Sequence, residues 1–485
     1  METTRASDSL LPTAVRTRGV LGYIGMLALA AAALWAVSQL GKGLVAPTAA
    51  ASSGIAAAAG HGSALGAVLL AIATIVVAAR VMGDLFERYL KQPPVMGEIA
   101  AGILLGPSAL GAISPAAYAW LLPADAAPHL RIVANIGVVL FMFLVGLELD
   151  TRLLRGSAPA TLGISHASIV APFTLGSALA LVLYPRYSSS NVDFLVFALF
   201  IGVSMSVTAF PVLARILADR RLNATPLGAT ALACAAADDA TAWCLLAVVS
   251  GVASSQLGSA GITLALVLGY VLVMFVAVRP LAAWITKRAD QRPGAVSPSM
   301  LALIFGLLLL SAVATEAIGI HALFGAFLFG VLIPHDSRLA EHLRVRIEDL
   351  VSVLLLPIFF AFTGMRTRIG LVSTSADWLM CAAIVAVATL GKFGGTAIAA
   401  RAAGLTRRDA SALGILMNTR GLMELIVLNV GLDMGVLSPT LFAMLVLMAL
   451  ITTFTTTPLL GLLRGLDLEA AAPVGLDPPT QAGHP

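Results

Sequence analysis

Apolar residues run in long blocks along this chain, and glycine, proline or charged residues punctuate the junctions between them. Such blocks can be read at 20–40, 63–83, 95–111, 131–149, 157–184, 193–217, 226–254, 261–286, 299–318, 320–335, 348–368, 375–401, 408–430 and 438–462. Crossing the hydrocarbon core of a bilayer takes roughly 20 apolar residues in a helix, and most blocks reach that length. The pattern predicts an all-α membrane protein of fourteen spans: thirteen core transmembrane helices over 63–462 and one extra N-terminal helix.

Composition sharpens this picture. Of the 485 residues 59% are apolar and 11% charged, far from the about 25% charged usage of soluble domains. That excludes a soluble enzyme, a nucleic-acid binder and a single-pass receptor. The net charge of +4 says less than where the basic residues lie. With the N-terminus in the cytoplasm, 21 of the 29 Lys and Arg fall in loops on the inner side, against five (Lys42, Arg131, Arg186, Arg366, Arg368) on the outer. Arg80, Lys392 and Arg420 lie within spans. The asymmetry predicts that both termini are cytoplasmic. Cys234, Cys244 and Cys381 all sit in apolar stretches and read as small buried hydrophobes, not disulfides or metal ligands.

At the ends, the segment 1–62 carries three arginines before its apolar stretch and could be a signal sequence, but it reads better as a retained span because no clean small-residue cleavage site follows. The tail 463–485 is rich in Ala, Pro and Gly and is expected to be disordered. No polar block is long enough for a nucleotide-binding domain.

A weak internal repeat runs through the core. GILLGP (102–107) is echoed by GAFLFGVLIP (325–334), VGLELDTRLL (145–154) by TGMRTRIGLV (363–372), and the interruption at 207–211 by one at 418–421. Six spans per unit joined by the single span 261–286 would give repeats inverted in the membrane, with broken crossing helices at a midplane site, the plan of secondary transporters.

The candidate chemistry lies at those interruptions and on one further span. Asp238 and Asp239 sit near the middle of 226–254, where each carboxylate costs on the order of 2.5–3.5 kcal/mol, so the pair demands a cation, protons or a water-filled cavity. A buried packing ion pair would need only one of them; two favour a hard-oxygen site exchanging a monovalent cation for protons. Lys392, in GKFGGT, is the only lysine inside any expected span and a natural counter-charge, unless it snorkels to the interface. Gly391, Gly394 and Gly395 would let another helix approach it. Ser204, Ser206 and Thr208 precede Pro211, where freed carbonyls and hydroxyls could ligate a dehydrated cation. The alternative is a plain proline kink with hydroxyls bonded back to their own helix. Asn418, Thr419, Arg420 and Glu424 cluster in 408–430, with Arg420 and Glu424 spaced to pair. That cluster could stabilise a broken helix or touch the ion. Glu98 reads as helix packing.

These residues lie in QPPVMGEIAAGILLGPSALG, FLVGLELD, SMSVTAFPVLARILAD, DDATAWCLLA, PIFFAFTGMRT, GKFGGT and MNTRGLMELIVLN, and over about 63–462 the chain resembles the monovalent cation:proton antiporter-2 family. The resemblance implies secondary active exchange of Na+ or K+ for protons without a cofactor, in a bacterial plasma membrane. It implies a homodimer whose panel domain stays still while a separate core carries the ion by an elevator-like movement. It implies that Asp239 is the essential ion- and proton-binding carboxylate, that Asp238 pairs with Lys392, and that exchange is electrogenic. A gated monovalent cation channel on the same scaffold is the alternative, and neither an intrinsic enzyme nor a nucleic-acid partner is expected.

Overall fold

The structure, a computed structural model, describes residues 13–47, 64–148, 159–189, 192–220, 222, 225–254, 260–291 and 296–464. Thus 1–12 and 48–62 of the N-terminal segment, nearly all of the tail, and 149–154 of the repeat motif lie outside the described residues. Within them the regular structure is helical, apart from one isolated bridge between Ser188 and Leu437. Ten helices are long and apolar enough to cross a membrane, or eleven if Arg407–Met417 and Leu422–Asp433, bent by 44° at their break, form one span. This is an all-helical multi-pass membrane protein.

The helices that matter below are α1 (Thr13–Gly41), α2 (Ala64–Leu85), α3 (Pro94–Leu105), α4 (Ala127–Glu148), α5 (Pro159–Tyr187), α6 (Phe194–Ser206), α7 (Phe210–Asp219) and α8 (Pro226–Ser254). They continue as α9 (Ala260–Val273), α10 (Arg279–Asp290), α11 (Pro298–Ile318), α12 (Ala322–Leu332), α13 (Arg338–Leu350) and α14 (Leu356–Arg366). The last are α15 (Ser375–Thr389), α16 (Gly395–Ala402), α17 (Arg407–Met417), α18 (Leu422–Asp433) and α19 (Pro439–Arg464). Every expected apolar block falls on helix. The number of full-length spans is smaller because four blocks fold as shorter pieces: 193–217 becomes α6 and α7, 320–335 becomes the short α12, 348–368 is largely α14, entered through a π-helical turn at Val351–Leu355, and 408–430 becomes the bent pair α17 and α18.

Packing sorts these helices into two bundles. In one, α3 lies against α2 and α14, and α12 against α11 and α4. In the other, α5 packs on α6, α8 and α16, while α19 packs on α15, α17 and α18. The N-terminal α1 joins the second bundle, lying on α5 and α6. Close backbone approach in the first bundle depends on glycine, in matched pairs. A Cβ at Gly97 would come within 2.2 Å of the Met82 carbonyl on α2, and one at Gly325 within 2.2 Å of the Ser311 carbonyl on α11. Likewise Gly102 would meet Ala361 of α14 at 2.0 Å, and Gly330 would meet Phe143 of α4 at 2.4 Å.

Two of the sequence expectations need correcting. Cys244 is exposed, unlike Cys234 and Cys381: it lies on an outward-facing stripe of its helix, where an apolar thiol can meet lipid at little cost. Gly394 approaches nothing within 4 Å, because its place on the helix faces away from the neighbour that Gly391 and Gly395 touch.

Candidate functional site

Two helix interruptions meet inside the second bundle. The chain leaves helical geometry at 207–209, between α6 and α7, and again at 418–421, between α17 and α18. Pro211 does not itself make the first break; it is the second residue of α7, where its missing N–H removes no intrahelical bond. The breaks are tied to each other: the Ala209 amide donates to the Thr419 carbonyl at 3.0 Å.

A broken helix leaves its last carbonyls without amide partners. For α6 the missing donors are cationic. The Arg420 guanidinium donates from Nη1 to the Ser204 carbonyl at 2.9 Å and from Nη2 to the Met205 carbonyl at 2.7 Å. Lys392 Nζ donates to the Ser206 carbonyl at 2.5 Å. Positive charge at a helix C-terminus is favourable because the aligned peptide dipoles leave it partly negative. Arg420 is held in turn by Glu424, Nη1 to Oε2 at 2.6 Å, one turn along α18. Its backbone is clamped by Thr453 of α19, whose hydroxyl accepts from the Arg420 amide at 2.9 Å and donates to the Arg420 carbonyl at 2.6 Å.

Beside this lies the carboxylate pair, on α8. Asp238 is fully buried and saturated with donors. Its Oδ1 accepts from Ser165 at 2.6 Å; its Oδ2 accepts from Ser168 at 2.6 Å, from Thr208 at 2.8 Å and from Lys392 Nζ at 2.9 Å. Lys392 is also fully buried and has a further contact to the Ser168 hydroxyl at 3.3 Å. It sits in a π-helical turn, Leu390–Gly394, between α15 and α16, an irregularity that re-aims side chains and recurs at functional sites. The turn lies hard against α5, since a Cβ at Gly391 would fall 2.6 Å from Pro172 Cα. Snorkelling is therefore not what Lys392 does; its charge ends inside the bundle.

Asp239 is the contrast. It is almost as buried, yet its Oδ1 has no hydrogen-bond partner among the described residues. The carboxylate faces the start of α7, where the Phe210 amide reaches it. Asn418, in the second break, also carries a buried and unpartnered oxygen, as does Glu424 at Oε1. A buried oxygen without a donor suits a cation, a proton or water. Asp238 is closed by its own donors, whereas Asp239 keeps one oxygen without a partner among the described residues.

The structure thus brings Asp238, Lys392, Ser206 and Thr208 into direct hydrogen-bonded contact, with Arg420 capping the same half-helix and Asn418 and Thr419 in the facing break. Ser204 and Ser206 bond back to their own helix, to the Phe200 carbonyl at 2.8 Å and the Gly202 carbonyl at 2.6 Å, the behaviour of the plain-kink alternative. Thr208, beyond the last helical turn, is the hydroxyl that reaches Asp238. Sequence reasoning missed Ser165, Ser168 and Thr453. The first two are three apart on one face of an apolar helix, a signal shared by many serines that only satisfy their own backbone.

The family model described as "Sodium/hydrogen exchanger, transmembrane" matches residues 72–462. The chain is 46% identical over 396 residues to the Na(+)/H(+) antiporter NhaS4 of Synechocystis sp., which covers 81% of this chain and 96% of that one. It is 42% identical over 397 residues to the Cation/H(+) antiporter 20 of Arabidopsis thaliana, covering 80% of this chain and 47% of the relative. With the K(+)/H(+) antiporter 1 of Saccharomyces cerevisiae it shares 37% identity over 380 residues, 76% of this chain and 43% of the other. It therefore spans about half the length of these plant and yeast relatives. Among solved structures, the sodium proton antiporter MjNhaP1 from Methanocaldococcus jannaschii has the same fold, with a TM-score of 0.59 at 15% identity, covering 83% of this chain and 98% of that one.

Proposed function

The chain belongs to the sodium/hydrogen exchanger family, and from that premise we propose that it is a secondary antiporter exchanging a monovalent cation, Na+ or K+, for protons by alternating access. One observation carries the reading: of two adjacent buried carboxylates, Asp238 is neutralised by Lys392 and three hydroxyls while Asp239 keeps an unpaired oxygen where two broken helices meet. In this reading Asp239 takes either the cation or a proton, and the Asn418 oxygen and freed backbone carbonyls complete the coordination of a dehydrated ion. Arrival of the cation weakens the hold of Asp238 on Lys392, which gives up a proton. Two protons then leave for each cation entering, and the cycle moves charge.

The architecture we propose is thirteen core helices in two inverted six-helix repeats, with α9 and α10 as the connecting span and α1 as a retained extra helix. The paired glycine contacts support it: Gly97 and Gly102 of α3 approach α2 and α14 as Gly325 and Gly330 of α12 approach α11 and α4. The first bundle would be a stationary, dimer-forming panel, and the second a core that carries the ion by an elevator-like movement. Both termini would be cytoplasmic and the membrane a bacterial plasma membrane. No observation favours the gated-channel alternative, and the sequence relatives above are all antiporters by name.

Purified protein in liposomes with an imposed pH gradient tests the proposal. Cation-dependent dissipation is expected, and its rates across Li+, Na+ and K+ would identify the ion. Failure of all three to dissipate the gradient would remove antiport.

A further inference from the structure

The two bundles meet through an apolar contact, where Trp243 of α8 packs on Phe324 and Phe327 of α12, and through a polar seam between α14 and α18. On α14, Thr363 and Arg366 lie three residues apart and so on one face; on α18, Asn429 and Asp433 lie four apart. The two faces interlock. Arg366 donates from Nη2 to Asp433 Oδ1 at 2.6 Å and from Nη1 to Asn429 Oδ1 at 2.9 Å, and Asn429 Nδ2 donates to the Thr363 hydroxyl at 2.8 Å. Arg366 also lies over the Phe442 ring of α19 at 5.9 Å. Thr363 is fully buried and Asn429 nearly so, whereas Arg366 and Asp433 are about a fifth exposed, so the seam runs from the interior to the edge of the bundle.

Its position is informative. Asp433 ends α18, and the following turn is pinned to the end of α5, with Ser438 Oγ donating to the Tyr187 carbonyl at 2.6 Å. At the opposite end of the helices, an ion pair between Arg215 of α7 and Glu87, just beyond α2, also joins the two bundles. That ion pair is nearly half exposed on both sides, and beside it Gln92 Nε2 donates to the Phe454 carbonyl of α19 at 3.2 Å. A sodium- or potassium-binding core that slides past a fixed panel cannot keep both links through a cycle.

We propose that Thr363, Arg366, Asn429 and Asp433 form a gate that closes one end of the path between panel and core and must part in each transport cycle. The proposal rests on the alternating-access reading. Its chemistry fits a reversible closure: hydrogen bonds and one ion pair at a partly wetted edge exchange for water, while an apolar seam would expose its surface on parting.

Cross-linking tests it. Arg366→Cys and Asp433→Cys, combined in a Cys244→Ser background and bridged by a reducible bifunctional thiol reagent in liposomes, should lose exchange and regain it on reduction, with each single variant in that background unaffected by the reagent. Exchange by the bridged protein at the reduced rate would overturn the gate. As a second readout, Arg366→Gln should raise deuterium uptake in 422–433 and 356–366; unchanged uptake would also overturn it. Wild-type protein that exchanges nothing would defeat the antiport reading instead, and the deuterium comparison, which needs no transport, would still decide the gate.

Discussion

The Asp238–Lys392 pair makes an asymmetric demand on stability that can be worked out from its partners. Asp238→Asn removes the only carboxylate touching Lys392 and leaves the ammonium with the Ser206 carbonyl and a long contact to Ser168. Stranding a fully buried charge by removing its partner costs about 3–5 kcal/mol. Lys392→Gln strands Asp238 less completely, because the hydroxyls of Ser165, Ser168 and Thr208 still donate to it. Hydrogen bonds to a charged group contribute about 1.5–3 kcal/mol each, so three of them should hold the loss to about 1–3 kcal/mol. The difference, about 2 kcal/mol, should appear as a lower melting temperature for Asp238→Asn than for Lys392→Gln in thermal unfolding of the purified protein. The double variant should be more stable than the sum of the two losses implies, since neither charge then remains. If Lys392→Gln proves the less stable variant, or if the losses simply add, the pair is not the energetic unit described.

Several cheaper perturbations probe the rest of the site. Asp239→Asn should abolish exchange while leaving thermal stability near wild type, because its unpaired oxygen contributes no described hydrogen bond; exchange in liposomes above about a tenth of the wild-type rate, a barrier change of only about 1.4 kcal/mol, would refute its assignment. Lys392→Gln should make any remaining exchange insensitive to an imposed membrane potential, and a fully electrogenic variant would leave the lysine a structural partner only. Asn418→Ala should raise the cation concentration for half-maximal exchange with little change in melting temperature; an unchanged value would exclude Asn418 as a ligand. Gly391→Ala should lower the melting temperature, since its Cβ would press on the Pro172 backbone at 2.6 Å, whereas Gly394→Ala, with open space around it, should be neutral.

How much of this was legible beforehand varies by element for physical reasons. Apolar blocks mark bilayer helices because hydrocarbon admits few alternatives, so every expected block falls on helix, and the buried charges of 238, 239, 392 and 420 announce themselves by their cost. Hydroxyls do not. A serine in an apolar helix can satisfy its own carbonyl, as Ser204 does, or reach across to another helix, as Ser165 and Ser168 do, and the same letter serves both. The interruption expected at 207–211 falls at 207–209, and Pro211 lies beyond it, because a proline is compatible with the first turn of the helix that follows. Which glycines meet a neighbour also depends on helix phase, and the π-turn at 390–394 shifts that phase by a residue that no periodicity count anticipates.

The two cations that cap α6 divide the work of the site between permanence and exchange. Arg420 is held by Glu424 and by two carbonyls, its backbone is locked by Thr453, and a guanidinium stays charged throughout, so it can hold the break open in every state. Lys392 caps the same half-helix through one carbonyl and otherwise depends on Asp238, and an ammonium can lose its proton when its environment changes. A cation arriving at Asp239 brings positive charge to the residue adjoining Asp238, and the lysine is the member of this group able to answer by losing its own. Arg420→Lys is therefore not conservative. It would surrender the two-carbonyl cap on Ser204 and Met205 and place a second titratable ammonium in the site. The expected result is a marked loss of stability together with altered proton dependence of exchange, and an Arg420→Lys protein as stable as wild type with an unchanged pH profile would show that the permanent charge is not needed there.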